Sequence, residues 1–402
     1  MIMKKLLIKD IDISSKKVLM RVDFNVPLDE NQNVTDDKRI QAALPTINYM
    51  VEKGARLVLM SHLGRPKGKA SPEMSLKPAA KTLKQLLGKP VNFVEDCIGP
   101  DVERAVNKLK DGDVLVLENL RFHKEEKEND PEFAKKLAQW GDIYVNDAFG
   151  SAHRAHASTE GVTKYFDTCA AGFLMEKEID YLSNTISSPE KPFTAILGGA
   201  KISDKIPVIK NIINKVDNII IGGGMMFTFI KAEGMEIGDS LLDESSLEFV
   251  GEILRNNKEK FVLPEDCVVS DSFDLKNRTL GTVKVVSIDN IPSGWTGLDI
   301  GPRTIEKFTG ICKKSKTVVW NGPMGVFEIE ETAKGTLEIA KVLAEATKKG
   351  TVTIIGGGDS ASAVKKAGVA SEMSHVSTGG GASLELLQGK DLPGVVALTD
   401  NM

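Results

Sequence analysis

Short apolar runs recur along the chain, and each one leads into a polar or glycine-rich segment. The runs cover residues 17–22, 56–60, 113–118, 142–145, 194–197, 218–222, 317–320 and 351–356. Longer segments with apolar residues at helical spacing alternate with them, such as 74–88 and 203–216. Continuously apolar runs are typical of strands buried on both faces, so the pattern predicts parallel sheets covered by helices. Ligands of such sheets bind beyond the carboxyl ends of the strands.

The segments that follow these runs differ between the two halves of the chain. In the first half they carry cationic and polar side chains, and no arginine lies between residues 155 and 254. In the second half they are glycine clusters at 198–199, 222–224, 356–358 and 379–381. Arginine binds carboxylate and phosphate oxygens bidentately, whereas glycine lets bare backbone approach a ligand. The asymmetry predicts two parallel-sheet domains that hold different ligands.

The boundary between the halves is visible in the pattern. Residues 173–186 have helical spacing of apolar positions, and the segment 187–192 then breaks the helix with two prolines. We therefore expect an α/β protein of two parallel-sheet domains, joined by this helix and a short hinge.

Four arginines of the first half are candidates for binding one small anionic ligand. Arg39, Arg65, Arg121 and Arg154 arise from four separate segments, and they converge if the strands before them are neighbours. For each arginine taken singly, an ordinary ion pair at the surface is the open alternative.

The histidines of the first half allow a metal interpretation. His153 and His156 could act as ligands with His62 and Asp147, yet no H-E-x-x-H motif is present. A histidine-containing loop beside arginines suits anion binding better, and hydrogen-bonded loop histidines are the simpler interpretation for His123 and His156.

The stretch 356-GGGDSASAV-364 fits the glycine pattern of a dinucleotide-binding turn by letter. Asp359 would repel a pyrophosphate there, and the acidic residue expected about 20 positions later is missing. Asp359 is better explained as a partner of Mg2+ beside phosphates. The cluster 379–381 either presents amides to a phosphoryl group or forms a tight turn before a helix.

The stretch 198-GGAKISDKI-206 resembles a phosphate loop but lacks the Walker pattern. Ser203 or Asp204 is the expected N-cap, and Pro207 restricts the helix start to about residue 203. Lys201 would then lie in the loop and Lys205 on the first helical turn.

Composition limits the remaining possibilities. The 402 residues carry a net charge of −4, which gives no overall attraction to nucleic acid, and the four cysteines are dispersed. No apolar stretch reaches the roughly 18 residues of a membrane helix. We expect a cytoplasmic protein whose partners are small molecules, without nucleic-acid or membrane partners.

Ten motifs in order along the chain resemble the phosphoglycerate kinase family. They are RVDFNVP, DKRI, SHLGRPKG, ENLRF, NDAFGSAHRAHAS, GGAKISDKI, IIIGGGM, WNGPMGVFE, IIGGGDSAS and VSTGGGASLE. The resemblance implies two doubly wound domains that face each other across a hinged cleft. Residues 1–172 plus about 385–402 would form a glycerate-substrate domain, 173–187 a connecting helix, and 188–384 a nucleotide-binding domain.

The resemblance also implies the reaction and its residues: reversible phosphoryl transfer from 1,3-bisphosphoglycerate to ADP, giving 3-phosphoglycerate and ATP, with Mg2+ accompanying the nucleotide. The implied substrate residues are Asp23, Asn25, Arg39, His62, Leu63, Gly64, Arg65, Arg121 and Arg154. The implied nucleotide residues are Lys205, Gly222, Gly223, Gly297, Asn321, Glu328, Gly357, Gly358, Asp359 and Ser360, of which Asp359 would engage the metal and Glu328 the ribose. Members of the family are usually monomers, so a monomer is expected.

This chemistry needs charge neutralisation rather than a general base, because both nucleophilic oxygens are ionised at neutral pH. We assign that charge to Arg39 and Lys201, with backbone amides at Gly358 and Gly381 as further donors. Two alternatives remain at this point: an NAD-dependent oxidoreductase, based on the glycine pattern at 356–361, and a non-catalytic nucleotide-binding regulator.

Overall fold

The computed structural model of the protein describes residues 4–401, and the chain divides into two units. The first unit extends to Ser183 and includes the segment from Asp391 onward, and the second unit is Asn184–Lys390. Within residues 4–401, none of the helices is long and apolar enough to span a membrane.

The first unit is built on one six-stranded sheet. Its strands are β1 (Lys17–Arg21), β2 (Arg56–Met60), β3 (Val91–Val94), β4 (Val114–Leu117), β5 (Ile143–Asn146) and β6 (Cys169–Ala171). Its helices are α1 (Lys38–Glu52), α2 (Lys77–Leu87), α3 (Pro100–Asn107), α4 (Glu125–Glu128), α5 (Pro131–Ala138) and α6 (Phe173–Ile179). The strand order is β3-β4-β2-β1-β5-β6, and every pairing is parallel.

The apolar runs form the core of this unit because both faces of the sheet are covered. The four residues of β4 and of β5 are all buried, as are four of the five residues in β1 and in β2. Strand β1 lies between β2 and β5: strands β2 to β4 lie on one side of it, and the chain then reverses direction across the sheet and places β5 and β6 on the other side. Such a reversal opens a crevice at the carboxyl ends of the strands, where ligands of α/β sheets bind.

The second unit contains a second six-stranded parallel sheet and a smaller antiparallel one. Its strands are β7 (Phe193–Leu197), β8 (Asn218–Ile221), β9 (Phe261–Val262), β10 (Asp266–Ser270), β11 (Phe273–Asp274), β12 (Thr279–Leu280), β13 (Val283–Ser287), β14 (Thr296–Ile300), β15 (Thr317–Asn321), β16 (Val352–Gly356) and β17 (His375–Val376). Its helices are α7 (Thr185–Ser187), α8 (Ile206–Ile212), α9 (Met226–Ala232), α10 (Leu247–Asn257), α11 (Pro302–Cys312), α12 (Lys334–Lys348), α13 (Gly358–Lys366) and α14 (Gly380–Leu387). The parallel order is β17-β16-β15-β7-β8-β9.

All eight strands predicted from the apolar runs are present, and the α/β class with two parallel sheets is confirmed. The antiparallel sheet β13-β10-β14 and the hairpin β11-β12 were not predicted. The hairpin strands have only two residues each, and β11 and β13 are largely exposed, so the alternation that marks a half-buried strand is weak there.

The helix after β7 begins later than predicted. Its N-cap is Lys205 rather than Ser203 or Asp204, and its first residue is Ile206. Backbone N–H groups of Lys205 and Ile206 both donate to the carbonyl of Ile202, so a separate turn precedes the helix. A side-chain cap at Ser203 or Asp204 is not needed, because the N–H groups of Lys205 and Ile206 already have an acceptor and Pro207 has no N–H.

The helical segment predicted at 173–186 is one continuous run with an irregular middle. Helix α6 passes into a π-helical turn at Asp180–Asn184, and α7 follows directly. A π turn widens the helix by one residue and is often found at functional positions.

The C-terminal segment adds a last short helix, α15 (Pro393–Val396), to the first unit. The Gly394 N–H donates to Ala152, and Asn146 on β5 donates to the Gly394 carbonyl. The segment therefore packs directly against the loop that follows β5.

Candidate functional site

The cationic and polar residues of the first unit follow four strands that are neighbours in the sheet. Asp23 and Asn25 follow β1, His62 to Arg65 follow β2, Arg121 follows β4, and Arg154 follows β5. Since β4, β2, β1 and β5 are adjacent and parallel, their carboxyl ends lie at one edge. We call these residues, with Arg39 on the first turn of α1, the basic site.

Two polar pairs fix the floor of the basic site. Arg39 donates through Nη1 to both carboxylate oxygens of Asp23, each at 2.9 Å. Asn25 Oδ1 accepts the Gly64 N–H at 2.9 Å, and Gly64 has a positive φ of 63° that favours glycine. Asp23 is buried while Arg39 is partly exposed, so the remaining N–H donors of the Arg39 guanidinium can contact a ligand.

Arg121 is a buried cation with an unmet donor. Its Nη1 donates to the Gly64 carbonyl at 2.9 Å, but its buried Nε has no hydrogen-bond partner within the described chain. Burial, together with the charges of Arg21 and Arg154, lowers the pKa of Arg121 to about 10. A buried guanidinium with an orphaned N–H is costly, and an anion in the site would remove that cost.

His62 is held against a guanidinium that the sequence analysis did not assign to the site. Arg21, at the end of β1, is fully buried and places Nη2 2.9 Å from His62 Nδ1. Burial and the charges of Arg21, Arg121 and Arg39 lower the pKa of His62 well below its usual range. His62 is therefore neutral at physiological pH.

The remaining substrate candidates differ in exposure. Leu63 is buried, whereas Arg65 and Arg154 are exposed, and Arg154 Nε lies 3.1 Å from His153 Nε2. Exposed arginines can reorient toward a ligand at little cost, so the basic site combines a fixed floor with movable cations.

The residues that the metal interpretation used do not form a ligand cluster within residues 4–401. The one group there with metal-like spacing is Asp96, Cys97 and His123, whose ligand atoms lie within 4.8 Å of one another. Asp96 already accepts the Cys97 N–H and pairs with His123 Nε2, both at 2.7 Å. Burial raises the pKa of the Cys97 thiol well above its usual range, which disfavours the thiolate that a metal would need. The Asp96 carboxylate is already occupied by hydrogen bonds within the group.

The glycine clusters of the second unit follow adjacent strands as well. They lie after β7, β8 and β16, with Asn321 at the end of β15, and these four strands are neighbours in the order β16-β15-β7-β8. A further cluster follows β17 at the same edge. We call this edge, with Lys201, Lys205, Asp359 and Ser360, the glycine site.

Many glycine amides at this edge serve loop packing rather than facing outward. The N–H groups of Gly198, Gly199, Gly222 and Gly223 donate to the carbonyls of Asn321, Pro323, Leu197 and Met324. A Cβ at Gly198 would overlap the Pro323 carbonyl oxygen. These glycines therefore let three loops interlock at backbone distance. Because these N–H groups are already hydrogen-bonded, the four glycines can allow a ligand to lie close to the backbone but do not supply free N–H donors.

Two helix N-termini supply the exposed donors of the glycine site. Helix α13 begins at Gly358 and α14 at Gly380, and a Cβ on Gly380 would lie 3.3 Å from the Gly358 nitrogen. Gly358, Gly380 and Gly381 are all exposed. The first N–H groups of a helix have no intrahelical acceptor, so these adjacent ends present donors whose arrangement suits an anion. The N-cap Gly357 has a φ of 92°, which glycine adopts without strain.

The two lysines of the stretch 198–206 differ in environment. Lys201 is exposed, while Lys205 is partly buried and donates to Asn321 Oδ1. Burial lowers the pKa of Lys205, and the charges of Asp204 and Asp359 act in the opposite direction. Asn321 Nδ2 in turn donates to the Gly356 carbonyl at 2.9 Å. Lys205 is thus anchored toward the start of α13.

Ser360 also has a structural task. It is fully buried, and its Oγ accepts the Gly322 N–H at 2.6 Å. That bond ties the first turn of α13 to the loop after β15.

Gly297 lies on β14 and Glu328 in the loop before α12, and the buried carboxyl group of Asp299 connects β14 to α12. The Gly297 N–H donates to Ser240 Oγ at 2.9 Å, and a side chain there would overlap the Phe227 ring. Asp299, two residues after Gly297, accepts the N–H of Gly335 on α12 at 2.7 Å. Glu328, in the loop that precedes α12, is exposed. Burial raises the pKa of Asp299 to about 8. Sequence reasoning missed Asp299, and no motif marks it.

Comparison with known proteins gives one consistent result. The family model described as phosphoglycerate kinase matches residues 8–390. A phosphoglycerate kinase of Chlorobium phaeobacteroides is 55% identical over 401 residues, which is 99% of this chain and 100% of the relative. The cytosolic phosphoglycerate kinase of Triticum aestivum is 57% identical over 392 residues, or 97% and 96% of the two chains.

Solved structures agree with the sequence comparisons. The structure of phosphoglycerate kinase from Coxiella burnetii has a TM-score of 0.88 and 39% identity, and the match covers 98% of each chain. The enzyme from Pyrococcus horikoshii has a TM-score of 0.83 and 34% identity, with the same coverage. The chain, with its basic site on one sheet and its glycine site on another, belongs to the phosphoglycerate kinase family.

Proposed function

We propose that the two sites divide the reaction between them. Family membership makes the chain a phosphotransferase with a carboxyl acceptor, and its activity is that of a phosphoglycerate kinase. In our proposal the basic site binds 3-phosphoglycerate or 1,3-bisphosphoglycerate, and the glycine site binds ADP or ATP. This division assigns to each site the ligand that its chemistry suits.

The orphaned Nε of Arg121 is the observation that supports the glycerate assignment most strongly. A buried, cationic donor without an acceptor favours a ligand oxygen that carries charge. Around it stand the partly exposed Arg39 and the neutral His62, with Asn25 at the floor. A small ligand with a carboxylate and a phosphate would satisfy this set, since arginine forks match both groups.

The adjacent N-termini of α13 and α14 support the nucleotide assignment. Their exposed amides suit phosphate oxygens, and Lys205 contributes a positive charge beside them. The packing glycines Gly222 and Gly223 would allow the base and sugar to lie close to the backbone. We propose Gly297 as a contact for the base and Glu328 as the partner of the ribose hydroxyls.

Catalysis in this proposal depends on charge and position. The attacking oxygen is already ionised in both directions, so the chain needs no general base. Arg39, held by Asp23, and the exposed Lys201 would neutralise the phosphoryl group in transit. Amides at Gly358 and Gly381 would donate to the same group, since donors preorganised at developing charge lower the barrier.

Asp359 is our proposed partner of the Mg2+ that accompanies the nucleotide. Its carboxylate is exposed in the first turn of α13, where an oxygen ligand can meet a cation shared with phosphates. When bound, Mg2+ supplies positive charge between the nucleotide phosphates. The donor set of one protein carboxylate fits that ion, which usually keeps several waters and phosphate oxygens.

In-line transfer requires that the two ligands meet, so we propose that the units move when both ligands are bound. The hinge would lie near residues 187–191 and in the helix before them. Small-angle scattering with both substrates should give a smaller radius of gyration than the ligand-free protein. An unchanged radius would count against this motion.

We further propose that the protein acts in the cytoplasm as a monomer. The four buried free cysteines fit a reducing compartment. Light scattering after size exclusion would test the monomer directly, and a mass twice that of the chain would refute it.

A coupled assay of ATP formation from 1,3-bisphosphoglycerate and ADP tests the division of labour as a whole. The wild-type protein should form ATP, and calorimetric titration should detect ADP but not NAD. Turnover without detectable binding of 3-phosphoglycerate to the first unit would contradict the glycerate assignment. Binding of NAD in place of ADP would restore the oxidoreductase alternative.

A further inference from the structure

A chain of four buried side chains runs beneath the basic site in the first unit. Its members are Glu126, Ser158, Arg21 and His62. The first three are fully buried and His62 is 6% exposed. Glu126 and Ser158 have no role that follows from the sequence, and neither residue takes part in the phosphoryl transfer proposed above.

The hydrogen bonds link these residues in a fixed order. Ser158 Oγ donates to Glu126 Oε1 at 2.7 Å, and the Ser158 N–H donates to Glu126 Oε2 at 3.0 Å. Arg21 Nε donates to Ser158 Oγ at 2.9 Å. Arg21 Nη2 lies 2.9 Å from His62 Nδ1, and Nη1 donates to the Val22 carbonyl.

The direction of every bond follows from the chemistry of arginine. A guanidinium has only donors, so Ser158 Oγ must accept from Arg21 and give its own proton to Glu126. For the same reason His62 Nδ1 must accept, which leaves the proton of a neutral imidazole on Nε2. The chain therefore defines one tautomer of His62 and one rotamer of the Ser158 hydroxyl.

Charge balance explains why the hydrogen-bonded series ends at the Glu126 carboxylate. Arg21 is a cation removed from water, and a buried charge is tolerated only when it is paired and hydrogen-bonded. Ser158 connects it to the Glu126 carboxylate. The charged and titratable groups around His62 are Arg21, Arg121, Arg39 and His156, all of which oppose its protonation. His156, with Nδ1 3.8 Å from Glu126 Oε1, lies beside the same carboxylate.

We propose that Glu126 and Ser158 are positioning residues which, through Arg21, hold His62 as the neutral Nε2–H tautomer. In that state His62 can only donate to a ligand, which suits an anionic oxygen of the glycerate substrate. The effect on His62 stands on the hydrogen bonds alone, and only the ligand step rests on the proposed function.

Nuclear magnetic resonance tests the first part without substrate. The full-length protein contains five histidines, and His62→Gln identifies the His62 ring nitrogens in a long-range nitrogen–proton spectrum. We expect an accepting Nδ1 and a protonated Nε2 that persist from about pH 7.5 to about pH 5.5, across the ordinary histidine pKa. A His62 ring that titrates normally in the wild-type protein would overturn the proposal.

Ser158→Ala interrupts the series of hydrogen-bonded side chains at its centre. We expect His62 to show mixed tautomers or a titration moved toward the ordinary range, and Ser158→Thr, which keeps the hydroxyl, should restore the wild-type pattern. Ser151→Ala is the matched control, because it removes a buried hydroxyl from the same region without touching the chain. Wild-type His62 signals in Ser158→Ala would refute the role of Ser158.

A second variant protects the test against misfolding. Glu126→Gln replaces one accepting oxygen with a donor, so the N–H and the hydroxyl of Ser158 can no longer donate to two separate oxygens. We expect a partial change of the His62 signals there, with thermal unfolding measured alongside. If Glu126→Gln folds and leaves His62 unaltered, Glu126 has no positioning role.

Kinetics tests the ligand step. Ser158→Ala should raise KM for 3-phosphoglycerate about tenfold, the loss of roughly one hydrogen bond, while KM for ATP and kcat stay nearly constant. An altered His62 spectrum with an unchanged KM would refute the place of His62 in the glycerate site and leave the effect of the chain on His62 intact. The two failures are thereby distinguishable.

Discussion

The two sheets of this protein end in sites that are built in different ways. At the basic site, cationic side chains follow the ends of adjacent strands or lie on α1, and some of them are oriented by side-chain hydrogen bonds, such as those of Arg39 with Asp23. At the glycine site the strand ends carry almost no side chains, and the loops interlock through backbone bonds. One site is set by side-chain chemistry and the other by close backbone packing.

The difference shows where each site is vulnerable. Removing a side chain from the basic site deletes a charge but leaves the sheet edge intact. Adding a side chain to the glycine site forces loops apart, because Gly198 and Gly322 lie against each other's backbone. Removing a side chain from the basic site should therefore impair activity, whereas adding one to the packing glycines of the second unit should impair stability.

The largest effect is expected for Arg39→Ala. We expect kcat to fall by about a hundredfold or more, because a donor to transition-state charge is lost. KM for the nucleotide should stay close to the wild-type value, since Arg39 belongs to the basic site. Steady-state kinetics checks both quantities, and a variant with normal kcat would remove Arg39 from the catalytic role.

Gly198→Ala tests the packing of the second unit. The added methyl group would meet the Pro323 carbonyl, and overpacking of this kind costs about 1–3 kcal/mol of unfolding free energy. Gly310→Ala is the matched control: Gly310 lies in α11 with open space around it, so alanine there should be neutral or stabilising. Equal denaturant midpoints for the two variants would contradict the interlocked-loop account.

Asp359→Ala should affect magnesium use without affecting the basic site. Loss of the exposed carboxylate is expected to raise the apparent KM for the magnesium nucleotide about tenfold, a change of about 1.4 kcal/mol. Magnesium titrations at fixed ATP measure this, and KM for 3-phosphoglycerate serves as the internal control. An unaltered magnesium dependence would rule out the assignment of Asp359.

Asp147 in the first unit and Asp299 in the second are buried carboxyl groups with a raised pKa, and they predict how stability varies with pH. Burial raises the pKa of Asp147 to about 7 and that of Asp299 to about 8. As pH rises from about 4, the unfolded chain loses these protons while the folded chain keeps them. Each group therefore lowers the free energy of unfolding as pH increases, by at most about 1.4 kcal/mol per pH unit, until the pH reaches the pKa of that group in the folded protein.

Asp299→Asn should remove this slope from the second unit, and Asp147→Asn should remove it from the first. Hydrogen exchange resolved by peptide reports the two units separately between about pH 5 and about pH 8. The exposed Asp289→Asn is the control and should retain the slope. A wild-type slope in Asp299→Asn would show that this carboxyl group is ionised in the folded protein.

Sequence patterns predicted much of this architecture because the relevant signals are local. Within residues 4–401, eight of the twelve parallel strands coincide with the predicted apolar runs, and the residues that follow each run mark the sheet edge, whereas β3, β6, β9 and β17 lie outside those runs. The start of α8 was placed wrongly because the N–H groups of Lys205 and Ile206 bond to the Ile202 carbonyl in a separate turn, so neither Ser203 nor Asp204 caps the helix. Glu126 and Ser158 escaped notice because their roles depend on contacts across 32 residues.

The glycine clusters illustrate a second limit. From the sequence, all of them are equally suited to present amides to phosphate. In the structure, Gly198 and Gly223 use their N–H groups for loop packing, while Gly358 and Gly381 lie exposed in the first turns of helices. Only the neighbouring loops decide which outcome applies, and those loops are distant in sequence.

A paired calorimetric titration tests the central claim, that the basic site holds the glycerate ligand and the glycine site the nucleotide. Arg65→Ala and Lys205→Ala would each be titrated with 3-phosphoglycerate and with ADP. We predict that Arg65→Ala weakens 3-phosphoglycerate binding about tenfold and leaves ADP unchanged, and that Lys205→Ala does the reverse. If either variant weakened both ligands equally, or weakened the other site's ligand, the division of the reaction between the two sites would be wrong.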